Sequence, residues 1–339
     1  MELRQGLLDG DDHGGDGRSE VGACLGRSDA VLPAACGACA DRDGVHGQLP
    51  VVCGDGHDSR HNVWVGDAAK IRASDVRRQK HDRRDAALIL KLLLEGRFPR
   101  IWTPSGEEKD LRQLLIHRYK LVRLRATTKN ELQHLAMNQG VTKKRKLWSK
   151  AGEQVLRELA LKPWASRRRE DLFKVRGMLD EQIASLDAAV VEAAEKNEKA
   201  KLLMTQPGVG PITSMAFVLT MGDVQRFPQG KQVASYLGLI PREYSSGGKQ
   251  RLGSISKQGN HFMRMLLVEA TQIAVRYDPG FRNEYLHRCH SKAKGVAKVA
   301  AARKLAIRLY WMLRTNTAYP EVVRVESSSR VALVVRHGG

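Results

Sequence analysis

The composition of the chain changes abruptly near residue 61, and this border limits what each side can fold into. Residues 1–60 hold 12 Gly, 11 acidic residues and 5 Arg, but no Lys, no Ile and no aromatic side chain. A stretch so rich in Gly and Asp, without large apolar groups, can hardly bury a core. Disorder is expected there, and the fold must rest on the residues beyond the border. The first aromatic is Trp64 and the first lysine is Lys70.

Past residue 61 the apolar spacing is mostly helical. Val63-Trp64-Val65 reads as a short strand, Gly66-Asp67 as a turn, and Ala86 to Glu95 as an apolar helix ended by Gly96. From Glu107 to about Asn138, Leu111, Leu114, Leu115, Tyr119, Leu121, Leu124, Leu132 and Leu135 recur at helical spacing. Arg167, Arg168 and Arg169 open a second long run through Leu172, Val175, Leu179, Ile183 and Leu186. Two long helices of similar period predict an antiparallel coiled-coil arm. Further on, 231–239 predicts a short helix ending at Gly238. His261–Tyr277 and Ala297–Leu313 predict two apolar helices that flank the serine-rich stretch and hold it. Residues 316–339 read as a loose tail.

The 339 residues carry a formal net charge of +20. The first sixty contribute −6, so the rest carries +26. That balance points to a polyanion, most often nucleic acid, with an anionic membrane surface as the rival. No segment approaches the ~18–20 apolar residues of a spanning helix, and no secretory pattern opens the chain. A soluble, intracellular protein is expected.

Within this basic region, residues 240–260 concentrate reactive chemistry. Ser245 and Ser246 stand beside Gly247 and Gly248, among the cations Arg242, Lys249, Arg251 and Lys257, with one acid, Glu243. Glycines allow close approach of a ligand, and cations neutralise charge that builds on a phosphate during attack. A basic surface loop that merely touches phosphates has the same composition. At 203–222, a helix ends, Pro207-Gly208-Val209-Gly210 turns, and an apolar helix begins. This resembles a helix-hairpin-helix, whose amides at a helix start suit a DNA phosphate without reading sequence; an ordinary helix turn is the alternative. The stretch does not match the GxxxxGK[ST] phosphate loop.

Two metal readings are open. Asp82 and Asp85, three apart, share a face if helical, and a carboxylate pair can hold Mg²⁺; a helix cap with a surface ion pair is the simpler account. Cys36-Gly-Ala-Cys39 with Cys53 and His57 has zinc-ligand types, but its surroundings lack the apolar residues and strand pattern of a zinc ribbon. The basic cluster Lys143–Lys146 is a solvated face or a phosphate contact.

Taken in order, Gln206–Gly210, Ala234–Leu239, the serine block and Ile255–Asn260 closely resemble the C-terminal domain of the insertion-sequence-110 family. That family comprises bacterial DEDD/serine transposases guided by a bridge RNA. Residues 61–200 are also similar, through the Val-Trp-Val strand, the paired aspartates and the arm. The resemblance implies a mainly α protein with a partial α/β part. It divides into an aberrant segment 1–60, a remnant of an RNase H/RuvC-like DEDD domain at 61–104, a coiled-coil helical arm at 105–202, a serine transposase domain with a helix-hairpin-helix at 203–315, and a tail at 316–339. It implies Mg-assisted, serine-mediated DNA cleavage and rejoining. Ser246 is then the nucleophile, with Ser245 as runner-up. Asp82 and Asp85 are the last two metal-binding acids, and Gly208, Val209, Gly210, Arg242, Lys249, Arg251 and Lys257 contact nucleic acid. DNA, a guide RNA and a homo-oligomer are the implied partners, Mg²⁺ the cofactor, and the bacterial cytoplasm and nucleoid the location; no membrane is involved. A non-catalytic nucleic-acid binder is the alternative function, and a zinc-dependent regulator a third.

The first two acids of the family pattern are missing from residues 1–60. Degenerate codons for 41–56 exist in which a shifted frame reads family-like residues, including the missing Glu, and the frames rejoin at Arg60-His61. A frame-shifted segment with an incomplete metal site is expected to give weak or no transposition. The nucleotide sequence upstream of His61 checks this: a second frame without family-like residues sinks the frameshift.

Overall fold

A computed structural model describes residues 64–74, 82–141 and 146–321, with the side chains of Asp82 and Lys146 left out. The segment 1–60 with its cysteines, the Lys143–Arg145 cluster and residues 322–339 lie outside the described residues. The chain forms two compact units that meet in sequence at Thr103 and Pro104.

In the first unit, Trp64–Gly66 are extended, and Gly66 bridges Arg100 in antiparallel fashion. Ile101 N donates to Val65 O at 2.8 Å and Asp67 N to Pro99 O at 2.9 Å. The expected turn at Gly66-Asp67 is instead a helix start. Asp67 caps α1 (Ala68–Ala73) by accepting from the amides of Ala69 and Lys70, which satisfies donors that the first helical turn leaves free. Helix α2 (Asp82–Leu94) comes next and ends at Gly96, whose φ of +65° suits the stop.

The second unit begins with α3 (Gly106–Asn138), which starts with a capping box between Ser105 and Glu108. A 3₁₀ turn (Lys146–Trp148) and α4 (Lys150–Glu158) lead to α5 (Pro163–Glu195). The two 33-residue helices α3 and α5 run antiparallel, joined by the ion pairs Arg118–Asp187 and Arg125–Asp180. Their distal end has its own small core of Leu132, Leu135, Ala136, Leu147, Leu156 and Phe173.

The main core gathers α6 (Glu198–Met204), α7 (Pro211–Met221), α8 (Gly230–Tyr236), α9 (His261–Tyr277), α10 (Pro279–Ser291) and α11 (Lys294–Thr315). Every residue of α7 from Thr213 to Met221 is buried. A helix that is apolar on all sides must be surrounded, and α7 packs against α3, α5, α6 and α9. Arginines satisfy the carbonyls at its C-terminal end. Arg112 from α3 donates to Leu219 O, and Arg226 donates to Met221 O at 3.0 Å. The described strands number two: β1 (Pro241–Glu243) and β2 (Leu252–Ile255), an antiparallel hairpin.

The first residues of the expected tail, 316–321, are held against the fold; 322–339 lie outside the described residues. Asn316 ends α11 in a left-handed conformation, Thr317 N donates to Met312 O, and Tyr319 N donates to Thr205 Oγ1. Nearby, Asp278 caps α10 through the Phe281 amide at 2.9 Å and pairs with Arg308 at 2.9 Å; both side chains are 4% exposed. Burial opposes the Asp278 charge, but hydrogen bonds from Phe281 N, Tyr319 and Arg308 outweigh it and hold the carboxyl below its usual range.

Two outcomes are expected. Asp278→Ala strands a buried guanidinium and removes a cap, which costs about 3–5 kcal/mol in urea denaturation. In the native chain the Asp278 contribution is complete above about pH 4, the unfolded value. It is lost as pH falls through the lower folded value, so acid titration of stability should lack this component only in Asp278→Ala.

Candidate active site

The serine block is not the plain loop that its composition predicts, but the β1–β2 hairpin. Pro241 faces Ile255 and Glu243 faces Leu252, so β2 carries one extra residue between those pairs. This bulge falls at Gly253-Ser254, and the Tyr244 ring lies against Gly253, where a Cβ would sit 2.9 Å from it. Beyond the bulge, Tyr244 N donates to Arg251 O at 2.8 Å. Ser246 then bridges Lys249, whose amide donates to Ser246 O at 3.1 Å. The residues between them, Gly247 and Gly248, have φ of +56° and +74°. Two positive φ values at the centre define the tight turn whose twist matches a hairpin. A Cβ at either glycine meets nothing within 4 Å, so the tip is open.

The two serines differ in their hydroxyls. Ser245 Oγ donates to Glu243 Oε1 at 2.6 Å and accepts from Arg251 N at 3.1 Å, so it ties the strands together. Ser246 Oγ has no hydrogen-bond partner among the described residues and stands exposed where the turn begins. Arg242 donates to Ser256 O at 3.3 Å, and Lys249 and Arg251 flank the tip. The hairpin thus places Lys249 and Arg251 on the strand opposite Ser246 at the tip, whereas Arg242 lies at its base. Lys257 lies just past β2, at a φ of +56° that is uncommon for a side-chain-bearing residue.

The base of the hairpin is clamped. Gly238 and Gly259, both at positive φ, lie backbone to backbone with the opposite turn. A Cβ on Gly238 would fall 2.2 Å from Gln258 O, and one on Gly259 would fall 2.2 Å from Tyr236 O. Ser256 N donates to Ile240 O at 2.8 Å. Arg264, on α9, reaches under both turns and donates to Leu237 O and Gly259 O, each at 3.2 Å, and to Gln258 O. Burial pushes its guanidinium below the ordinary value. Sequence pattern does not single out Arg264; the available signal is an arginine interrupting the apolar stripe of His261–Tyr277.

At the other glycine turn, Gly208 has φ +88°, and a Cβ there would meet Ala270 O at 2.4 Å, so the turn packs tightly on α9. Val209 is buried, and its amide donates to Gln206 O at 3.0 Å. Gly210 is open and precedes α7, which has no side-chain cap. Of the three residues, Gly210 is therefore the one exposed at a helix start.

Asp82 and Asp85 both fall in the first turn of α2, and the Asp85 side chain is exposed. Among the described residues no three acid, His or Cys side chains converge. The Asp82 side chain lies outside what is described, so the pairing expected of the two carboxylates does as well.

Two family models match. Residues 57–138, which include both aspartates, match a DEDD transposase model of the IS110 group. Residues 200–286, which include the glycine turn, the hairpin and α9, match the transposase family IS116/IS110/IS902. A "probable family 20 transposase" of Pseudomonas aeruginosa is 29% identical over 255 residues, 72% of this chain and 75% of that protein. The transposase for insertion sequence element IS1328 of Yersinia enterocolitica is 29% identical over 279 residues, 76% and 80% of the two chains. The transposase for insertion sequence element IS1111A of Coxiella burnetii is 30% identical over 206 residues, 60% of this chain and 57% of that one. The chain belongs to the IS110 family of insertion-sequence transposases. The DEDD designation points to a divalent metal as the family's cofactor.

Glycine replacements separate tip from base. Gly247→Val with Gly248→Val should cost about 1–2 kcal/mol per residue of turn closure, raise exchange of the Lys249 amide, and leave the global denaturation midpoint unchanged. Gly238→Ala should lower that midpoint, because its Cβ would collide with backbone.

Proposed function

We propose that this chain cuts and rejoins DNA strands through a covalent serine intermediate, with Ser246 as the nucleophile. The observation that carries the proposal is the contrast between the serines: Ser245 Oγ is committed within the hairpin, while Ser246 Oγ is exposed at its tip among cations. In the first step Ser246 Oγ attacks a backbone phosphorus. A bond forms from Oγ to phosphorus, the bond to one sugar oxygen breaks, and the serine proton balances the alkoxide that departs. In the second step a sugar hydroxyl attacks the phosphoserine diester and restores Ser246. Arg242, Lys249, Arg251 and Lys257 offset the charge on the phosphoryl oxygens. Open glycines at 247 and 248 leave room for the strand.

The Gly208–Gly210 turn supplies a second, sequence-independent backbone contact, with Gly210 and the uncapped start of α7 as its exposed part. Mg²⁺ is the proposed metal, held in part by Asp82 and Asp85; when bound it would stabilise charge on the phosphate and the leaving oxygen. No step above depends on it. A guide RNA, a homo-oligomer and action at the bacterial nucleoid in the cytoplasm complete the reading. No described helix is long and apolar enough to cross a membrane.

A second reading is a nucleic-acid binder without strand transfer, supported by the net charge of +20 over the 339 residues, which suits a polyanion without requiring chemistry on it. In that reading transposition by this chain is weak or absent.

Denaturing gels of the chain with labelled insertion-sequence DNA, Mg²⁺ and cognate RNA test both. A slow-migrating protein–DNA adduct is expected, lost in Ser246→Ala while DNA binding persists. An adduct that survives Ser246→Ala but not Ser245→Ala would move the chemistry to the neighbouring hydroxyl. Absence of any adduct supports the binding-only reading.

A further inference from the structure

The distal end of the α3–α5 arm carries a surface that the serine chemistry leaves unused. Trp164 is 87% exposed, the highest value for a large apolar side chain among the described residues. It does not hang from a floppy loop. Pro163 and Trp164 open α5, and Arg169, one turn on, donates to Leu159 O at 2.9 Å and Leu156 O at 3.4 Å, which pins the connector from α4. Arg167 and Arg168 lie three and four residues after Trp164, so all three share one helix face. Lys162 precedes them at the N-cap, and all four side chains are exposed. Arg167 pairs with Asp171 at 3.1 Å on the surface, and Arg168 has no ion-pair partner among the described residues.

Positive charge is crowded along this half of the arm. Trp148 lies under both Lys129, at 5.1 Å, and Arg176, at 5.5 Å. Burial, followed by the nearby Arg176 and Arg125, pushes the Lys129 ammonium below its ordinary value. Additional anions would relieve that crowding. The tip is also remote from the core: from Arg112, which touches α7, to Asn138 the helix rises about 40 Å at 1.5 Å per residue.

We propose that the arm tip is a second nucleic-acid contact, which takes a single-stranded segment by stacking a base on Trp164 and holding its phosphates with Lys162, Arg167 and Arg168. An exposed indole at a helix start beside cations is the arrangement that binds unpaired strands, because only an unpaired base offers its face for stacking. A second copy of the chain is a poorer occupant. A symmetric contact would bring the same cations against themselves, at like-charge cost.

The test uses the full chain and three fluorescent probes of one length: single-stranded oligo-dT, single-stranded oligo-U and a DNA duplex. Binding is read by anisotropy across a salt series. Trp164→Ala should weaken at least one single-stranded probe roughly 5- to 150-fold, the range for loss of one stacked base, and leave the duplex unchanged. Trp164→Phe should restore most of the affinity. Arg168→Ala should weaken binding and reduce the salt slope by about one. The DNA and RNA arms identify which strand is held. Wild-type single-strand affinity in Trp164→Ala overturns the proposal, as does a loss that is equal for duplex and single strand. Unchanged affinity with a smaller oligomer on gel filtration assigns the surface to a second copy instead. Ser246→Ala protein should bind all three probes as the native chain does, so failure here is distinct from failure of the serine chemistry.

Discussion

Arg264 is the interaction on which the serine hairpin depends. A two-stranded hairpin in water is marginal at best, and this one turns almost all of its side chains to solvent. Its position comes from its two ends, where the Leu237–Gly238 and Gln258–Gly259 turns press together without room for a Cβ. Such an approach brings several carbonyl oxygens close to one another. One guanidinium, held by the buried α9, donates to three of them and offsets their mutual repulsion. Charge-assisted hydrogen bonds are the stronger kind, and here they fix a solvent-exposed hairpin to a helix of the main core.

The same device recurs across the second unit. Arg112 and Arg226 meet the carbonyls at the end of α7, Arg169 those at the end of α4, and Arg314 those of Phe227 and Pro228. Arg308 is buried against Asp278. Part of the chain's positive charge is thus structural, spent on backbone carbonyls at helix ends and loops inside the fold. The net charge still points to a polyanion, but the arginines buried in these contacts do not face one.

Much of this is legible in local pattern. The long helices of the arm come from leucines at 3.6-residue spacing, and the stop at Gly96 comes from the freedom of that residue at positive φ. The Gly66-Asp67 step reads as a turn because Asp serves turns and helix caps equally; which one it makes depends on whether helical residues succeed it. The serine block looks like a loop because its strands are short, polar and interrupted by glycine, so alternation is absent. Its pairing rests on Gly247-Gly248 and on the clamp below, and the second of these joins residues from three separate stretches of chain. The acid pair at 82 and 85 can be placed on a helix from spacing alone, whereas a metal site requires convergence of distant segments.

The sequence by itself determined the helical character, the excess of positive charge and the family, because each is written in local spacing, in composition or in ordered motifs. Only the tertiary structure decided which serine is free. Ser245 and Ser246 are adjacent and chemically identical, and they part only when the hairpin closes. Closure ties one hydroxyl to Glu243 and the Arg251 amide, and leaves the other at an open turn. It also decided that Gly208 packs against a helix while Trp164 stands in solvent, since burial is a property of what the folded chain brings alongside, not of the residue itself.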